Sequence, residues 1–114
     1  MLQVKLGKVK AASPDDELDR TRLGWCEGMS QEEAWKIGRG DWALKTDHAL
    51  DQREVQIVNL DGKVVAVATI QGVTRVKDGR RRFFLEGTLI KNHPRVGTTT
   101  QHPSRNPIAY VEDH

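Results

Sequence analysis

The residues best able to do chemistry in this chain are three tryptophans and a group of arginines, and they suit binding better than catalysis. Trp25, Trp35 and Trp42 lie within 18 residues of one another. Indole rings beside a basic groove can stack on an extruded nucleobase, although small domains also use such rings to build a core. Arg75, Lys77, Arg80, Arg81 and Arg82 crowd one turn. Five cations there can hold phosphates or keep a sheet edge from pairing with another chain. A Pro-rich stretch adds Lys91, His93, Arg95, His102, Arg105 and Asn106, side chains that can contact phosphates and base edges.

Catalytic patterns are thin. The chain has no G-x-S-x-G, H-E-x-x-H, P-loop or C-x-x-C pattern, so the usual nucleophile, zinc and nucleotide signatures are missing. Cys26 is the one cysteine, and beside Trp25 it reads more readily as an inert thiol than as a nucleophile. Asp41 or Asp47 could pair with His48, but close neighbours on a strand point apart. His93 and His102 match no ligand spacing. The expectation is no metal and no cofactor, with enzymatic activity less favoured than binding.

These side chains must be positioned by a β-rich body. Glu54 to Leu60 and Lys63 to Ile70 are two β-branched runs joined by Asp61-Gly62, the pattern of a hairpin, expected here as type I′. In the second run Val64, Ala66, Ala68 and Ile70 share one face and Val65, Val67 and Thr69 the other. Both faces are apolar, which predicts a strand covered on both sides. A third run, Arg81 to Leu89, comes after a turn at Lys77-Asp78-Gly79. Residues 2–10 alternate, with Leu2, Val4 and Leu6 against Gln3, Lys5 and Lys8, and predict a short first strand or an ordered extended arm.

Two helices are predicted ahead of the hairpin. Ser13-Pro14-Asp15-Asp16-Glu17 carries an N-cap, a first-turn proline and acids suited to the helix dipole. That helix is expected to present Leu18, Arg22 and Trp25 on one face and to end at Gly28. Ser30 and Glu33 form a capping box for the second, which Gly38-Arg39-Gly40 stops. Asp41 to Leu44 should resume in extended form, and Asp47 to Asp51 could add a helical turn. Ile90 to Pro107 is a long irregular connection, of the kind usually functional or disordered. Ile108 to Val111 should close the fold as a short strand.

At 114 residues the chain reads as one domain, 1–114. Apolar residues make up 37% and charged residues 30%. No apolar run approaches the ~20 residues of a membrane span, the first residues do not resemble a secretory signal, and one cysteine suits a reducing, cytoplasmic setting. Net charge is +2, but unevenly spread. Residues 1–54 hold nine Lys/Arg against eleven Asp/Glu, and residues 55–114 nine against five. That asymmetry permits a polyanion-facing side on the C-terminal half.

The order of helices, Trp-containing strand, tight hairpin, arginine-flanked aromatic strand and long loop resembles the PUA-like superfamily, which includes ASCH, EVE and YTH domains. The residues that carry the resemblance are Gly40-Asp41-Trp42-Ala43-Leu44, Val64-Val65-Ala66-Val67, Arg82-Phe83-Phe84-Leu85-Glu86-Gly87 and Arg105-Asn106-Pro107. The resemblance implies an α+β fold: a small bent β-barrel, or a strongly curved, mostly antiparallel sheet, with two short covering helices. It also implies binding of DNA or RNA, several such domains taking a modified base into an aromatic pocket. Carried onto this chain, Trp42 with Trp25 or Trp35 would be pocket walls. Arg39 and Arg80 to Arg82 would hold phosphates, joined by Arg75, Lys77 and Arg105, and Asp41 or Asn106 would meet the base edge. The competing expectations are a protein-interaction module, homodimeric or docking a phage or host partner, and a small-molecule or nucleotide pocket.

Overall fold

The computed structural model describes residues 1–12, 20, 22–40, 42–43, 46–76, 82–102 and 106–111. In chain order the elements are β1 (Leu2–Lys5), β2 (Lys10–Ala11), β3 (Arg22–Leu23), α1 (Gln31–Gly38), α2 (Thr46–Leu50), β4 (Glu54–Val58), β5 (Val64–Thr69), β6 (Gly72–Arg75), β7 (Phe83–Glu86) and β8 (Ile108–Tyr110). The architecture is α+β. A four-stranded sheet runs in the order β5-β4-β1-β8, with the two-stranded pairs β2-β3 and β6-β7 beside it. The main sheet is mixed: β1 lies parallel to β4, with Leu2 opposite Val55, while the β4–β5 and β1–β8 pairs are antiparallel. Among the described strands the sheets do not close into a barrel.

The Asp61-Gly62 hairpin forms, but with a different turn. Gly62 has φ +80° and no other residue of the turn has positive φ, so type I′, which needs two such residues, is not adopted. Instead Gly62 N–H bonds Asn59 O at 3.1 Å, and the Asn59 side chain accepts from the Asp61 and Lys63 amides, both at 3.0 Å. This is a three-residue loop with glycine in the left-handed region. Asn59 supports this turn, because its side chain accepts from two of the loop amides.

The register shifts one residue along the same pair, between Ile57 opposite Ala66 and Val58 opposite Val64. A bulge of this kind reverses the facing of the residues beyond it. Val64 therefore leaves the face of Ala66 and Ala68 and packs with Val58 and Val67, against Ile90 and Val96. Ala66 and Ala68 remain on the first face with Leu2, Val4, Val55 and Ile57, under Ala34, Trp35 and Ile37 of α1. Both faces of β5 are covered, as the apolar pattern required. The Ile90–Pro107 connection provides the second cover: Val64 N bonds Thr98 O and Ile90 N bonds Val67 O, each at 2.8 Å.

Thr69 N bonds Thr88 O at 2.8 Å and Gln71 N bonds Glu86 O at 2.7 Å, so the pairing of β6 with β7 continues past Gly87 to the end of β5. A Cβ at Gly87 would lie 1.8 Å from Thr69 O. Only glycine allows the two backbones to approach there.

The helical expectations divide. Ser30 caps α1, accepting from Glu33 N at 3.1 Å, but the Glu33 carboxylate turns away from the cap to Arg22 (Nε–Oε1 3.0 Å, Nη2–Oε2 2.8 Å). The capping box is half made. The turn expected near Asp47 is α2. The start of the first predicted helix, 13–19, lies outside the described residues. Its later part is not helical: Arg22–Leu23 pairs antiparallel with Lys10–Ala11, and Trp25 bridges Lys8. Pairing with a distant strand has overridden a local helical pattern. The turn at Lys77-Asp78-Gly79 also lies outside the described residues. The strands it joins pair in register, Arg75 opposite Phe83.

Candidate functional site

Three strands of the main sheet present one end to a common cavity. The carboxyl ends of the parallel pair β1 and β4 and the amino end of antiparallel β8 all lie there. The segment after β1, Leu60 beyond β4, and Asn106-Pro107 before β8 all line a cavity of about 620 Å³. Lys5 N bonds Pro107 O at 2.8 Å and Leu6 N bonds Val58 O at 2.9 Å, which fixes these ends against one another. The space lies within the range of ligand pockets, roughly 300–1,000 Å³. The crevice beyond the carboxyl ends of parallel strands is also where open α/β sheets bind ligands.

The charge of the lining is one-sided. Lys5, Lys8, Arg20 and Arg82 line the cavity, and no carboxylate does among the described residues. Lys5 and Lys8 make no ion pair among the described residues. Arg20 is 8% exposed, and its Nη1 donates to Ile37 O at 3.0 Å, which holds the guanidinium at the wall. An anion entering the hollow would be drawn to Lys5 and Lys8.

Trp42 is a wall of the cavity. Its backbone pairs with Phe83 in both directions at 2.8 Å, and its Nε1 donates to Gly38 O at 2.7 Å. A half-buried indole tied at backbone and ring is a rigid platform. Gly40 makes the approach possible, since a Cβ there would lie 2.4 Å from Phe84 Cβ.

Asn106 lies at the rim and is positioned from the sheet interior. Buried Gln3 and Gln56 stand opposite each other on β1 and β4, and Gln56 Nε2 donates to Gln3 Oε1 at 2.7 Å. Gln3 Nε2 donates to Gln101 O at 3.1 Å and lies 3.0 Å from His102 Nδ1. His102 Nε2 in turn meets Asn106 O. A neutral His102 carrying its proton on Nε2 satisfies both neighbours. A buried amide pair thereby anchors the loop that carries Asn106.

The other residues singled out from sequence separate into groups. Trp35, 8% exposed, belongs to the core under α1. Trp25 is partly buried against the same core, and its Nε1 finds no partner. Neither lines the cavity, so the three rings do not form one cage. Arg39 is occupied by the fold: its guanidinium carbon sits 5.9 Å from the Trp35 ring centre and 5.7 Å from that of Phe84. Its Nε donates to Leu85 O at 2.9 Å and its Nη2 pairs with Glu86 at 3.2 Å. Arg75 is exposed at the end of β6, away from the cavity lining. Asp41, Lys77, Arg80, Arg81 and Arg105 lie outside the described residues. The structure thus brings together Trp42, Asn106 and Arg82 from the sequence-derived set.

Lys5, Lys8 and Arg20 were not singled out from sequence. Their signal is faint, two lysines around Gly7 at the end of an alternating strand, and it gains meaning once β1 is seen beside β4. Among the described residues no group of three or more His, Cys, Asp or Glu side chains could hold a metal ion, and no helix is long and apolar enough to cross a membrane. Comparison with protein-family models, curated proteins and solved structures finds no match to this chain.

Proposed function

We propose that this chain is a nucleic-acid-binding domain of PUA-like type that admits one extruded base into the cavity beside Trp42. The observation that carries the reading is the cavity lining: Lys5 and Lys8 with no ion pair among the described residues, no described carboxylate, a fixed indole and an amide at the rim. Lys5 and Lys8 would hold phosphate, the Trp42 ring would stack on the base, and the Asn106 amide would meet its edge. Extrusion costs a few kcal/mol, which stacking and edge hydrogen bonds offset. A strongly curved sheet, or a closed barrel, remains part of the proposal. So does a reading in which the base carries a modification, and a cytoplasmic setting.

The test is a titration monitored by tryptophan fluorescence, with short DNA and RNA oligonucleotides, modified and unmodified, over a range of salt. Base-dependent quenching is expected, with affinity falling as salt rises. Lys5→Ala with Lys8→Ala should weaken all sequences alike and flatten the logarithmic salt slope by about 1.4, taking roughly 0.7 per single-strand phosphate neutralised. An unchanged slope would remove both lysines from the site. A protein that binds free nucleotides but no oligonucleotide would instead be a small-molecule binder.

A further inference from the structure

We infer that the outer edge of β8 is a self-association surface, on which a second copy of this chain docks its own β8 antiparallel. β8 closes the main sheet on one side. Lys5 N bonds Pro107 O and Val111 N bonds Met1 O, each at 2.8 Å, and the Met1 amino group bonds Val111 O at 2.7 Å. In an antiparallel ladder such bonds fall on alternate residues, so Pro107, Ala109 and Val111 turn their backbone groups to β1. The N–H and C=O groups of Ile108 and Tyr110 therefore point away from the sheet, and no described residue meets them.

Other strand edges are guarded and this one is not. β5 is covered by the Ile90–Pro107 connection, through Val64 N to Thr98 O and Ile90 N to Val67 O. β7 is flanked by the Trp42 and Arg39 backbones, and β6 carries exposed Arg75. β8 holds no charged residue, and no bulge interrupts its pairing with β1, so it lacks the usual devices against strand addition. The register identifies the occupant. About a two-fold axis through Ala109, Ile108 of one copy lies opposite Tyr110 of the other, and each outward N–H meets an outward C=O. A β-branched residue facing an aromatic one is a favourable cross-strand pair. Pro107 then falls opposite Val111, at a position where the new ladder needs no N–H. Arg105 and Asp113, which lie outside the described residues, stand four places to either side of Ala109 in the sequence. The same register sets these opposite charges against each other, twice by symmetry. Moving the axis to Ile108 or Tyr110 loses both the Ile–Tyr pairing and the charge match. A second copy thus satisfies the edge as an isologous contact, joining two four-stranded sheets into one with the cavities at opposite ends.

The experiment is sedimentation equilibrium of the full chain over a range of concentrations, without nucleic acid. A monomer–dimer equilibrium is expected. Tyr110→Pro removes an amide that β1 does not use, on an edge strand where proline is tolerated. It should raise the dimer dissociation constant about tenfold or more, with the circular dichroism spectrum retained. Tyr110→Phe keeps both the amide and the ring and should leave the constant unchanged. Arg105→Asp should weaken the dimer by a few-fold, and Arg105→Asp combined with Asp113→Arg should restore it. A monomer at every concentration, a dimer that Tyr110→Pro leaves intact, or a double exchange that restores nothing would overturn the proposal.

Discussion

Trp35 and Trp42 stand seven residues apart on either side of Gly38-Arg39-Gly40, and the fold uses them in opposite ways. Trp35 lies on α1 and faces inward onto the aliphatic side of the sheet, with Arg39 against its ring. Trp42 lies past the helix end and borders an open, cationic cavity. Both are large aromatic residues in a similar local sequence, and both touch the same core. What separates them is the turn between. The helix ends where the backbone must come close to Phe84, and beyond that point the chain runs along the edge of β7. Burial suits an indole that fills space, while a hydrogen-bonded but half-open indole suits recognition.

The largest effect should come from opening the closed region. Trp35→Ala removes a buried ring and leaves a cavity under α1, at a cost of about 3–5 kcal/mol. For a domain of this size the thermal midpoint would then drop by roughly 12–20 °C, at about 4 °C per kcal/mol. Differential scanning calorimetry measures it; a drop of only a degree or two would place Trp35 outside the core. The next effect belongs to the open region. Trp42→Phe keeps a ring at the wall but forfeits the bond to Gly38 O, which should lower stability by about 0.5–1.5 kcal/mol. On the nucleic-acid reading proposed above, base-dependent affinity should fall while the salt slope persists, since the lysines proposed to hold phosphate are left in place. A slope that collapsed with this change would merge the stacking and phosphate roles assigned to separate side chains.

The smallest effect lies at the edge strand, away from both rings. Burial first, and the Asp47 carboxylate second, push the Tyr110 phenol above its ordinary 10.0. A raised value means that folding favours the neutral phenol. Its contribution is complete below pH 10.0 and disappears as pH rises through the higher folded value. Tyr110 is 39% exposed, so solvent screening keeps the contribution small. Tyr110→Phe should reduce the loss of stability in alkaline solution and change nothing at neutral pH. Denaturant midpoints measured on both sides of pH 10.0 would show it, and an alkaline slope unchanged in the variant would assign the effect to another group.

Local signals proved legible and distant ones did not. The Asp61-Gly62 hairpin, the Ser30 cap, the doubly covered β5 and the returning β8 each rest on neighbours within a few residues. The facing of Val64 was misread because one bulged residue reverses everything on its side of the bulge. Arg39 seemed available for phosphate because Leu85 and Glu86, its partners, lie far along the chain. Lys5 and Lys8 reach the cavity only through the parallel pairing of β1 with β4, which no local pattern announces. Of the candidate site, Trp42, Asn106 and Arg82 were legible by type, but their convergence belongs to the sheet topology.

That topology also dictates an order of events as the chain is made. β1 occupies an interior place in the main sheet, yet its neighbours are residues 55–58 on one side and 108–110 on the other. Leu2 and Val4 are synthesised before either partner strand and then wait. At the usual pace of translation, the second edge of β1 stays open for on the order of ten seconds. During that interval an apolar strand with free amides is exposed to any other nascent chain. Pairings so distant in sequence also slow refolding, since loop closure must precede the contacts that reward it. The placement of β1 that brings its lysines to one end of the sheet thus leaves a strand made before both of its partners unsealed until the later of them arrives.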